Sequence, residues 1–157
     1  MNYYNEISEG YEELYREEQE KKIEIIKEYF PIEKTDKLLD LGSGPGFAKF
    51  DCDLYRADPS EKLLEKADGK KALAYAEKLP YPDNTFDKVI SITAMQNFYD
   101  IKASVGEMKR VCKGRFALSF LKKSSKKEYI ESIIENEFEI EKKINEEKDI
   151  IIIANYK

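Results

Sequence analysis

The stretch LLDLGSGPG, residues 38–46, sets a short apolar run directly before three glycines at alternate positions. Such a run, ending in glycines, reads as a buried parallel strand that breaks into a tight turn. Glycines there let the backbone turn sharply and approach a ligand closely, because they carry no side chain and tolerate positive φ. In dinucleotide enzymes the spacing is GxGxxG and the helix behind it points its N-terminus at a pyrophosphate. Here Gly42, Gly44 and Gly46 give GxGxG, Pro45 removes an amide donor, and no Lys-Ser/Thr pair follows. The turn suits a phosphate poorly.

Outward from this turn the pattern alternates. Upstream, residues 9–29 carry Tyr11, Leu14, Tyr15, Ile23 and Ile26 at helical spacing, with Phe30 just beyond, before a stop at Pro31. Downstream, LYRAD reads as a second strand, PSEKLLEKAD as a helix opened by Pro59 and Ser60, and KALAYA as a third strand. FDKVISIT is a fourth strand, IKASVGEMKRVC a helix and RFALSFL a fifth strand. SSKKEYIESIIENEF is a helix capped by Ser124 or Ser125. FEIEKKIN and KDIIIIANYK are joined by NEE, which leaves no room for a helix, so they form an antiparallel pair at the sheet's edge or beside its last parallel strand. The expectation is an α/β fold: a doubly wound, Rossmann-like, mostly parallel sheet of about seven strands with an antiparallel C-terminal hairpin. All 157 residues form one domain, with residues 1–30 a helical lid and residues 31–157 the core. Only 12 residues, 42–53, connect the first two strands, near the lower limit of about 10 to 12 for a crossover with its helix. That predicts a truncated first crossover helix, with Phe47 and Phe50 covering the sheet.

Composition narrows the chemistry. The absence of histidine removes Ser-His-Asp and Cys-His nucleophiles, imidazole acid/base work and histidine-bound metal. Cys52 and Cys112 lack CxxC spacing and read as small buried apolar residues. A charge of −5, no run near ~18 apolar residues and no signal-like start predict a cytoplasmic protein that does not wrap nucleic acid over its whole surface. Twenty-three lysines and 22 glutamates against four arginines match either a heat-adapted protein or a lysine-rich genome. Residues 109–127 hold eight basic side chains and no acid, which reads as solvated helix and strand ends in preference to an RNA surface.

Asp58, at the end of the second strand, neighbours the glycine turn across the crevice of a doubly wound sheet, where a carboxylate can accept hydrogen bonds from both hydroxyls of a ribose. LLDLGSGPG, LYRADPS, AEKLPYPDNTFDKVIS and EMKRVCKGRFALSFL, in this order, resemble the successive motifs of class I S-adenosylmethionine-dependent methyltransferases. The subset resembled is the type 11 group containing ubiquinone and menaquinone biosynthesis methyltransferases. The resemblance implies S-adenosylmethionine as cofactor. It assigns the methionine end to Asp40, Gly42, Ser43, Gly44 and Gly46, the ribose to Asp58 with Pro59 beside it, and adenine to Ala76, Glu77 and Tyr75, where an aspartate is usual. After the fourth strand it assigns Thr93, Ala94 and Gln96 as backbone or polar contacts. Tyr4 and Tyr11 become lid candidates, with closure of the core as their other reading.

The reaction so implied is direct displacement, which requires neither a protein nucleophile nor a metal, and no catalytic residue is assigned. A small-molecule acceptor is expected. The alternatives are a catalytically silent cofactor-binding subunit that needs a partner protein, and an RNA or protein methyltransferase. A nicotinamide-dependent oxidoreductase is disfavoured by GxGxG and the terminal hairpin.

Overall fold

The computed structural model describes residues 9–157, with side chains from Glu12 onward. Helix α1 (Glu9–Tyr29) leads into strand β1 (Lys37–Leu41), both over the residues expected from the sequence. There follow β2 (Asp53–Asp58), α2 (Glu61–Leu64), β3 (Lys70–Leu73), β4 (Phe86–Ser91) and α3 (Ile101–Val111). The chain ends with β5 (Cys112–Leu121), α4 (Lys127–Glu137), β6 (Phe138–Asn145) and β7 (Asp149–Tyr156). The seven strands form one sheet in the order β3-β2-β1-β4-β5-β7-β6. β1 to β5 pair in parallel, and β7 runs antiparallel to both neighbours, so the terminal hairpin completes the edge.

Alternate residues of the sheet feed two separate cores. Leu39, Leu41, Val89, Phe116 and Ile152 pack with Val105, Met108, Ile130 and Ile134 from α3 and α4. Leu38, Leu54, Ile90, Ala117 and Ile151 pack on the other side with Ile23 and Ile26 of α1 and Phe30 just after it. Burial on both faces explains why β1 reads as continuous apolar sequence. Leu14, in the first half of α1, is exposed. Cys112 is buried, as expected, whereas Cys52 is only half-buried against the α1-side core.

Three elements depart from expectation. No helix forms between β1 and β2, so the shortening of the first crossover goes further than the one or two turns expected. That face is nonetheless closed: Phe47, Ala48 and Phe50 pack with α1 against the sheet. Helix α2 is a single turn capped by the Ser60 hydroxyl, which accepts from the Leu63 amide at 3.2 Å. Four residues past its end, the Asp68 carbonyl and carboxylate both accept from Arg56. Helix α4 has Lys126 at its cap position without a side-chain cap. Ser124, expected to cap it, accepts from the Lys126 amide within the preceding turn instead.

Candidate functional site

The parallel order reverses at β1, whose neighbours are β2 on one side and β4 on the other. The carboxyl ends of β1 and β4 at such a switch point form a crevice suited to a ligand. The glycine turn leaves β1 on one side of it, and residues 92–98 leave β4 on the other. Gly42 sits at φ +73°, and a Cβ added there would lie 2.7 Å from the Ala94 Cβ. Glycine is required both for the conformation and for the approach of the two loops.

Between them lies a cleft of about 270 Å3, at the small end of the usual range for ligand sites. Its polar lining comes from Asp40, Ser43, Asp58, Gln19, Thr93 and Asn97, its apolar lining chiefly from Ile23, Phe47, Leu63, Ile92 and Phe98. Asp58 bridges β2 to the turn: its Oδ2 accepts from the Gly44 amide at 2.9 Å and its Oδ1 from the Ser60 amide at 2.8 Å. Burial raises the Asp58 carboxyl above its ordinary range, while those two amide bonds hold it down. The Ser43 hydroxyl is buried and makes no hydrogen bond, an uncompensated polar atom on a residue that lines the cleft.

Asp40 stands on the α1 side of the sheet, directly across from Arg56 in the β1/β2 register. Arg56 is 0% exposed. Its Nη1 donates to Asp40 Oδ2 at 2.6 Å, its Nη2 to the Ala48 carbonyl at 2.5 Å and to Asp68 Oδ1 at 2.8 Å, and its Nε to the Asp68 carbonyl at 2.9 Å. Sequence reasoning missed this residue. The available signal was strand alternation, which puts Leu54, Arg56 and Asp58 on one face of β2, beside the glycine turn.

The remaining expected residues are distributed unevenly. Pro59 lines the cleft, and also a second hollow of about 40 Å3 that shares Gly42, Asn97 and Phe98 with it. Tyr75, Ala76 and Glu77 border that hollow, whose volume suits a water or two, not a purine. Tyr75 and Tyr99, 54% and 84% exposed, stand at its rim with ring centroids 5.7 Å apart. The Glu77 carboxylate is engaged, accepting from the Asp100 amide and the Ser104 hydroxyl at the start of α3. Gln96 does not line the cleft; its amide donates to the Thr93 carbonyl and accepts from the Leu121 amide. Gly46 also lies off the lining, packed at φ +76° against Ala67 and Arg56. Tyr4, and the side chain of Tyr11, lie outside the described residues.

Thr93 takes φ +55°, an uncommon conformation for a β-branched residue. Around it, its hydroxyl donates to Asp149 Oδ2 at 2.7 Å and accepts from Lys22 Nζ at 3.0 Å, while its amide donates to Ser119 Oγ at 2.8 Å. These bonds fix the loop that walls the cleft opposite the glycine turn.

The methionine and ribose ends of S-adenosylmethionine fit this lining: a buried carboxylate and an unbonded hydroxyl beside close-approaching backbone at one end, a second carboxylate at the other. The smaller hollow, about 40 Å3, does not take adenine as it stands. Comparison with known proteins agrees with the fit. Residues 39–118 match the family model described as Methyltransferase domain, type 11. An uncharacterized methyltransferase of Schizosaccharomyces pombe is 35% identical over 107 residues, covering 52% of this chain and 38% of that protein. The chain thus spans well under half the length of that relative. A protein of Pyrococcus horikoshii has a similar crystal structure, with a TM-score of 0.78 at 20% identity over 91% of both chains. A SAM-dependent methyltransferase from Aquifex aeolicus gives a TM-score of 0.74 at 18% identity, over 86% of this chain and 89% of that one. These two show the fold. With the match from Leu39 to Leu118 taking in the glycine turn, Asp58 and the loop after β4, the chain belongs to the type 11 methyltransferase-domain family, whose cofactor is S-adenosylmethionine.

Proposed function

We propose that the protein transfers a methyl group from S-adenosylmethionine to a small-molecule acceptor by direct in-line displacement. The observation that carries this reading is the cradle itself: Asp40 and Asp58 flank a glycine turn whose Ser43 hydroxyl is buried without a partner. When bound, the cofactor supplies a methyl group on a positively charged sulfur. Asp40 accepts from its ammonium, Ser43 from or to its amino-acid end, and Asp58 from the ribose hydroxyls through lone pairs left free by Gly44 and Ser60. Tyr75 and Ala76 border the adenine. Methyl transfer of this kind depends on alignment and on keeping water out. Helix α1 serves the second need by laying Tyr15, Gln19 and Ile23 over the cleft.

The proposal gives the acceptor the part of the cleft bordered by Tyr15, Ile23, Phe47 and Ile92, with Gln19 and Thr93 as neutral polar groups. That lining supports a compact acceptor carrying few charges. An RNA acceptor has little support: in the basic stretch 109–127, Lys109, Arg110, Lys113, Arg115 and Lys127 each face a carboxylate of this chain. Among the described residues no helix is long and apolar enough to cross a membrane, and a cytoplasmic site of action goes with the proposal. One domain with α1 as its lid completes the reading.

Titration calorimetry with S-adenosylmethionine and with a nicotinamide dinucleotide tests the cofactor. Methyl-labelled S-adenosylmethionine supplied with small-molecule or RNA extracts then tests the acceptor. Binding of the first ligand alone and label in the small-molecule fraction are expected. No binding of S-adenosylmethionine at millimolar concentration would overturn the reading, and label confined to RNA would overturn the acceptor class.

A further inference from the structure

We infer that Arg56 is a positioning residue for the cofactor's amino-acid end: it replaces the missing first crossover helix as the floor of the cradle and aims Asp40 into the cleft. The inference rests on the cofactor reading above and concerns a residue which that reading does not use.

Three observations carry it. The first is location. Residues 42–52 contain no helix, and the space beneath the glycine turn holds a guanidinium with no exposed surface. The second is valence. Arg56 reaches Asp40 on β1, the Ala48 carbonyl beyond the turn, and both the carbonyl and carboxylate of Asp68 after α2. Four bonds from one planar group tie together the segments that a helix would otherwise have spaced. A lysine has one ammonium and no such fork. The chain has 23 lysines and only four arginines, yet an arginine stands at this wholly buried place.

The third observation is how the Asp40 carboxylate is shared. Only Oδ2 is bonded to Arg56, while the side chain still borders the cleft, so the other oxygen is available to a ligand ammonium. Arg56 keeps Asp40 ionised in a buried site and fixes which oxygen faces the cofactor. Gly46 records the same packing: a Cβ there would lie 3.1 Å from the Arg56 Cζ and 2.8 Å from the Ala67 Cβ. The glycine at the third motif position makes room for the guanidinium and for Ala67, while ligand approach belongs to the first two.

The discriminating experiment compares two ligands. S-adenosylmethionine carries the amino-acid end; 5′-methylthioadenosine keeps the nucleoside and sulfur but has neither ammonium nor carboxylate. Arg56→Gln should weaken S-adenosylmethionine about 10- to 100-fold, the value of one or more charge-assisted bonds, and leave 5′-methylthioadenosine within about 2-fold. Arg56→Lys, which keeps the charge and perturbs the fold less, should show the same ligand selectivity with a smaller loss, and decides the matter if the Gln variant does not fold. Equal losses for both ligands, or no loss for either, would overturn the positioning role and leave the cofactor reading intact. A wild-type protein that bound neither ligand would overturn both.

Discussion

Lys22 Nζ lies 3.1 Å from Asp149 Oδ1 with both side chains excluded from solvent, at 2% and 0% exposure, so a buried ion pair ties α1 to the first residue of β7. Gln19 Oε1 accepts from the same ammonium at 2.8 Å and the Thr93 hydroxyl closes the cluster. Removing one member of such a pair strands the other, at a cost of about 3 to 5 kcal/mol. Lys22→Met should therefore lose about that much in urea denaturation, and Lys22→Met with Asp149→Leu should recover most of it. A single-variant loss below about 1 kcal/mol would show that α1 is held by its apolar stripe alone. Because Thr93 anchors the wall of the cleft, the single variant should also weaken cofactor binding.

Gly42 fails as alanine for two separable reasons, conformation and contact. At φ +73° an L-residue is disfavoured by about 1 to 2 kcal/mol, and the added Cβ would sit 2.7 Å from that of Ala94. Gly42→Ala should destabilise the fold and close the cleft, read as a lowered melting temperature and lost cofactor affinity. Ala94→Gly in the same chain should restore the portion due to the contact and leave about 1 to 2 kcal/mol due to conformation. Full recovery would mean that backbone strain counts for nothing here.

Asp58 holds the turn as well as facing the cleft, through bonds to the Gly44 and Ser60 amides. Asp58→Ala should weaken S-adenosylmethionine by roughly 2 to 4 kcal/mol, given about 1.5 to 3 kcal/mol for each charge-assisted bond. Asp58→Asn keeps one carbonyl acceptor and should lose less. Unchanged affinity in the alanine variant would remove Asp58 from the ribose site.

Local pattern made β1 and the span of α1 legible, because an apolar run ends at glycines and helical spacing ends at a proline, though the spacing allowed one helix or two. It also made Asp58 legible, since strand ends beside a glycine turn converge by topology. What pattern could not supply was the fate of side chains with competing partners. Glu77 and Gln96 lie in the right segments, yet their polar atoms are taken by the start of α3 and by β5. Arg56 reaches from β2 to Asp40, to Ala48 in the helix-free crossover and to Asp68 after α2, contacts that no local periodicity encodes.

Asp40 should give the site a pH dependence of two opposite signs. Burial pushes its carboxyl up to about 6; the Arg56 guanidinium pulls it back, and the carboxylates of Asp58 and Asp68 add to the rise. Ionised Asp40 accepts the cofactor ammonium, so affinity should be steady above about pH 7 and fall as the pH drops through 6. Stability runs the other way for this group. An acid with a raised native value contributes stability that is fully present below its ordinary 3.8 and is lost as the pH rises through about 6. Asp40→Asn should abolish the acid-side fall in affinity and flatten this part of the stability profile. Calorimetric affinities and urea midpoints measured at about pH 5, 6, 7 and 8 give both curves. Parallel curves for wild type and Asp40→Asn would show that the ammonium is held elsewhere, with the unbonded Ser43 hydroxyl the next residue to change.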